Sequence, residues 1–89
     1  MEFPEDVLTK VENRLRRVEG QVRAIRRMLE EGRDCRDIVT QLSAASHALD
    51  QAGVQLVAAG MTWCIEHPKE AEQEGMGVAE IERMFTKLA

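Results

Sequence analysis

Residues 35–66, CRDIVTQLSAASHALDQAGVQLVAAGMTWCIE, decide the fold. Cys35, Ile38, Leu42, Ala45, Leu49, Ala52, Leu56, Ala59 and Trp63 recur there at steps of three and four, the spacing that keeps one stripe of a helix apolar. No proline intervenes before Pro68, so a helix of about 30 residues is predicted, near 45 Å long at about 1.5 Å per residue. Globular helices average about 11 or 12 residues. A chain of 89 residues can hardly house one so long by itself, and the helix asks for a partner chain.

Upstream, Leu8, Val11, Leu15, Val18, Val22, Ile25 and Leu29 keep the same alternation, which makes a coiled-coil-like seam on a first helix. Pro4 suits its start, and Gly32, after Glu30 and Glu31, suits the left-handed C′ position at its end. Asp34 is then placed to cap the second helix. Downstream of Pro68 the acidic stretch Glu70 to Gly77 reads as a loop, and Val78, Ile81, Met84, Phe85 and Leu88 make a short third amphipathic helix. The expected fold is all-α: one domain over 1–89, a three-helix protomer with helices at about 5–30, 35–66 and 78–88 and no strand pattern or internal repeat.

Composition agrees with packed helices. Apolar residues are 44% of the chain and aromatics 3%, with no Tyr, so the core must come from Leu, Val, Ile, Ala and Met. A single core is thin below about 100 residues, which again favours oligomerisation. No apolar run approaches the roughly 18 residues of a membrane span, and Met1-Glu2-Phe3-Pro4 lacks the basic start and apolar stretch of a signal peptide. A cytoplasmic protein without membrane partners is expected. Two cysteines in such a chain argue against a structural disulfide framework and leave reactive, metal-binding or buried thiols open.

Cys35 and Cys64 are 29 residues apart, which is eight helical turns plus about 20°, so both point from one face but stand about 43 Å apart along the axis. A disulfide needs Cα atoms within about 7 Å, so the pair cannot close inside one continuous helix. Two copies of the helix packed antiparallel, with their midpoint near Leu49 and Asp50, bring Cys35 of one chain level with Cys64 of the other, twice by symmetry. This antiparallel dimer requires that the helix run unbroken through Gly53 and Gly60. The first turn of a helix favours a thiolate at Cys35, with Arg33 and Arg36 adding to the effect and Asp34 and Asp37 opposing it. The competing reading makes both cysteines small buried hydrophobes. His67, three residues after Cys64, is a candidate third ligand for a soft metal, and His47 reads as a solvent or interface residue.

The net charge of −4 hides an asymmetry. Lys10, Arg14, Arg16, Arg17, Arg23, Arg26 and Arg27 face only Glu12 and Glu19 within their segment, a local net of +5 that leaves −9 for the rest. Lys10, Arg14, Arg17 and Gln21 form one stripe beside the seam, and Arg16, Arg23 and Arg27 form another. Guanidinium groups bind phosphate oxygens in pairs and Gln reaches base edges, so a polyanion such as nucleic acid is the expected partner.

The stretches Arg14-Leu15-Arg16-Arg17-Val18-Glu19-Gly20-Gln21-Val22-Arg23 and Gly32-Arg33-Asp34-Cys35-Arg36-Asp37-Ile38-Val39-Thr40-Gln41-Leu42-Ser43-Ala44 resemble the CsoR/RcnR/FrmR family of helical transcriptional repressors. The resemblance implies an antiparallel four-helix-bundle dimer and a dimer-of-dimers tetramer. It also implies no helix-turn-helix or winged domain, and duplex operator DNA held by Lys10, Arg14, Arg17 and Gln21, with Arg16 and Arg23 nearby. Copper sensors of that family carry a His four residues before the second Cys, where this chain has Gly60. The pattern of two cysteines without that His is similar to the CstR-like persulfide sensors, which implies reactive sulfur species as inducer and no cofactor. The alternative is Cu(I) held by Cys35, Cys64 and His67, since thiolates select soft monovalent copper. A second alternative is a helical scaffold that binds no DNA. An enzyme is not expected, because no nucleophile is paired with a base and an orienting group.

Overall fold

A computed structural model describes residues 1–88. Two long helices, α1 (Glu5–Glu30) and α2 (Cys35–Glu66), form an antiparallel hairpin, followed by α3 (Pro68–Gln73) and α4 (Val78–Leu88). The hairpin turn has a local cause at each residue. Gly32 takes φ +67°. Its N–H donates to the Leu29 carbonyl at 3.2 Å, and that of Arg33 donates to Met28 at 2.9 Å. This is a Schellman closure, which satisfies the last carbonyls of α1. Asp34 then caps α2, its carboxylate accepting the Arg36 N–H at 2.8 Å.

The protomer has four helices among its described residues, not three, and the stretch after Pro68 is corrected accordingly. Pro68 ends α2 but also opens α3, because at the first helical position its missing N–H has no partner to lose. Ala71 is fully buried and anchors this turn. Gly75, at φ +71°, ends it with a second Schellman closure, Gly75 N–H to Glu72 and Met76 N–H to Ala71. Only 74–77 remain as connection.

The seven-residue seam of α1 is split in two. Val11, Val18 and Ile25 are buried, and they face the side where Ala45 and Ala52 of α2 are buried too, so short side chains let the hairpin close tightly. Leu8, Leu15, Val22 and Leu29 stay between 40% and 61% exposed, as do Leu42 and Leu49 of α2 at about half. The helix α4 runs back antiparallel along the C-terminal half of α2, with Ile81 over Gly60 and Leu88 over Gly53. The result is a plate of 55 × 25 × 14 Å. No described helix is long and apolar enough to cross a membrane.

Candidate thiol site and nucleic-acid interface

Cys35 is the first residue of α2 and is exposed, whereas Cys64 lies two residues before its end and is buried. Helix α2 is continuous through Gly53 and Gly60, so the thiols stand about 43 Å apart along it and do not meet within the chain. Around Cys35 the charges are engaged with one another: Arg33 lies 4.0 Å from Glu31 and 3.8 Å from Asp37. Exposure at this position goes against the reading of both cysteines as core.

Gly60, one turn before Cys64, is buried because Ile81 fills the space its side chain would take. A Cβ there would lie 3.1 Å from Ile81 Cδ1, and Ile81 is only 1% exposed. A side chain at this position would need the Ile81 methyl to give way by a few tenths of an ångström.

His67 is the C-cap of α2, at φ −131° and ψ 61°. Its ring stacks on Trp63, with centroids 5.5 Å apart and planes at 22°, and Nδ1 lies 3.3 Å from the Trp63 carbonyl oxygen. The cap geometry turns it onto Trp63 instead of continuing the helix beyond Cys64. His47 is exposed and meets Gln51 at 3.2 Å. Among the described residues, no three His, Cys, Asp or Glu side chains converge as a metal site.

On α1, Lys10, Arg14 and Arg17 come together in a polar cleft whose other walls are Asn13 and, from α2, Gln55. Arg14 is half-buried, and its Nε donates to Gln55 Oε1 at 3.0 Å. Arg16 lies outside that cleft and pairs with Glu12 at 2.9 Å on the exposed surface, a contact worth little. Arg23 lines a separate groove with Leu15, Val18, Glu19 and Val22. Gln21 departs from its stripe: it is half-buried, and its Oε1 is buried with no hydrogen-bond partner in the protomer. Asn13 was legible as a neighbour of Lys10 on the same face, but Gln55 comes from the other helix and has no local signal.

The comparison that decides the identity is a family model described as a metal-sensitive transcriptional repressor, which matches residues 8–87. The chain belongs to the metal-sensitive transcriptional repressor family. As a repressor its relatives include the copper-sensing transcriptional repressor CsoR of Bacillus subtilis, 32% identical over 79 residues, covering 89% of this chain and 78% of that one. The copper-sensing transcriptional repressor RicR of Mycobacterium tuberculosis is 48% identical over 52 residues, 58% of this chain, and the match spans 54% of RicR. Among solved structures, the nickel-responsive transcriptional regulator InrS superposes with TM-score 0.77 at 28% identity, covering 92% of both chains. CsoR with Cu(I) from Geobacillus thermodenitrificans gives 0.74 at 32% identity, covering 99% of this chain and 88% of that one. A metal-sensitive repressor is neither an enzyme nor a passive scaffold, and this repressor carries the all-α fold of its relatives.

Proposed function

We propose that this repressor, with both thiols reduced, holds operator DNA on the basic face of α1, and that it lets go when a reactive sulfur species joins Cys35 of one protomer to Cys64 of another. The residue at position 60 carries the choice of inducer: it is a glycine, with Ile81 Cδ1 packed over it. The two thiols are therefore left without an imidazole one turn before Cys64.

The partner is a second copy of the chain. The protomer exposes 6706 Å², against about 5,300 Å² for a compact protein of its mass. Its radius of gyration is 16.9 Å, against about 12 Å for a compact domain of its length. Leu8, Leu15, Val22, Leu29, Leu42 and Leu49 are among its exposed large apolar side chains, and antiparallel packing of two hairpins would cover such positions, which supports this reading. A tetramer of two such dimers follows from the family resemblance.

The chemistry needs only a persulfide donor. The Cys35 thiolate attacks the sulfane sulfur of RSSH, which gives Cys35–S–SH and releases RSH. The thiolate of Cys64 of the partner subunit then attacks the inner sulfur, forming the disulfide and expelling H₂S. Two thiols are oxidised and one sulfane sulfur is reduced, so no other oxidant is required.

The copper-sensing relatives favour a second reading, in which Cys35 and Cys64 of the partner subunit hold Cu(I) as two soft thiolates. His67 would have to leave Trp63 to add a third donor. Operator affinity measured with a persulfide donor and, separately, with Cu(I) decides between them. Release by the donor alone supports the sulfur reading. Release by stoichiometric Cu(I) with no response to the donor replaces it with the copper one.

A further inference from the structure

We infer that Gln55 is a positioning residue for DNA binding: it holds Arg14 by its Nε so that the outer guanidinium edge stays aimed at a backbone phosphate in the cleft between α1 and α2. The inference rests on the proposed reading of α1 as the DNA face and adds to it a residue of the other helix.

Arg14 stands apart from the other basic side chains of α1. It is half-buried where Lys10, Arg16, Arg17 and Arg23 are exposed, and among the described residues it has no carboxylate within ion-pair distance. Its one hydrogen bond to another side chain goes to a neutral acceptor, from Nε to Gln55 Oε1 at 3.0 Å. A guanidinium held through Nε keeps two parallel N–H groups on its Nη edge, the fork that matches two phosphate oxygens. Because the acceptor is an amide and not a carboxylate, the arginine is oriented without its charge being cancelled. The cleft, of about 210 Å³, is lined by Lys10, Asn13, Arg14, Arg17 and Gln55 and holds no acid. The amide groups of Asn13 and Gln55 bring further N–H donors to the same place. Three cations and two amides around one opening suit a single phosphodiester group.

Gln55 also sits on α2 between the two cysteines, nine residues before Cys64. A shift of α2 along α1 therefore acts on Arg14 directly through this bond, with no intervening side chain.

The test is a double-mutant cycle on affinity for a duplex carrying the operator. Gln55→Met keeps the bulk and helix propensity of the side chain and removes the acceptor. The net contribution of a typical hydrogen bond sets the expected loss in the reduced protein at about five- to tenfold, with the thermal midpoint unchanged. Arg14→Ala is expected to weaken binding and to lower the salt slope by roughly 0.9 per lost contact. In the Arg14→Ala background Gln55→Met should then cost nothing further, which a merely structural role for Gln55 would not produce. Full additivity of the two substitutions, or a Gln55→Met protein with unchanged affinity while Arg14→Ala is impaired, overturns the positioning role. An Arg14→Ala protein that binds as tightly as the parent overturns the DNA reading itself.

Discussion

The two cysteines differ in access before any chemistry begins. Cys35 is exposed at the open end of α2, while Cys64 is 6% exposed and covered near the end where α3 and α4 pack. An alkylating reagent should therefore label Cys35 of the reduced protein first and Cys64 slowly, at a rate set by local opening of its cover. Equal rates at the two sites, read by peptide mass spectrometry over time, would contradict this burial. Cys35→Ala should bind the operator like the parent yet fail to release it with a persulfide donor, as gel-shift titration would reveal. Two glycines show how surroundings set the sign of a substitution. Ala in place of Gly gains about 1 kcal/mol in a helix interior. At Gly60 the new Cβ meets Ile81, which is fully enclosed, and overpacking of about 1–3 kcal/mol outweighs that gain. At Gly53 it meets Leu88, half-buried at the last turn of α4 and free to swing aside. Thermal unfolding should place Gly60→Ala below the parent and Gly53→Ala at or above it. The reverse order would mean that α4 is not fixed by Ile81.

At the scale of elements, the helical fold was legible because its signals are local. A three-and-four alternation, a capping Asp34 and a Gly32 able to take positive φ each act over a few residues. The helix α3 escaped because Pro68 was read only as a breaker, when it also suits a first helical position, and because the burial of Ala71 is a tertiary fact. The candidate site was legible to a lesser degree. The basic stripe shows in the sequence, but whether a member is paired, as Arg16 is, or turned inward, as Gln21 Oε1 is, depends on rotamers and neighbours. On the proposed reading of α1 as the DNA face, their placement should separate the arginines in function. Arg14→Ala and Arg17→Ala should weaken operator binding and flatten its salt dependence by roughly 0.9 per contact, whereas Arg16→Ala, outside the cleft lined by Lys10, Arg14 and Arg17, should do less. Both quantities come from fluorescence anisotropy at several salt concentrations, and an Arg16→Ala effect as large as that of Arg14→Ala would move the DNA face around the helix.

For the whole molecule, the hairpin buries only part of each apolar seam in itself and leaves Leu8, Leu15, Val22, Leu29, Leu42 and Leu49 exposed. Covering a leucine contributes about 1.5–3 kcal/mol, so Leu42→Lys with Leu49→Lys should convert the assembly to monomers in sedimentation velocity while leaving the helical content high. An undiminished oligomer would put the interface elsewhere. The most direct measurement uses two isotopes. Light and heavy-nitrogen chains are mixed, unfolded and refolded together, treated with a persulfide donor and digested, and the peptide pair joining Cys35 to Cys64 is weighed. The expected result is a substantial fraction of pairs with one light and one heavy half, because a continuous α2 holds the two thiols of one chain about 43 Å apart and the bond must cross between subunits. Pairs of uniform isotope alone would place the bridge inside one chain and contradict both the unbroken helix and the antiparallel dimer.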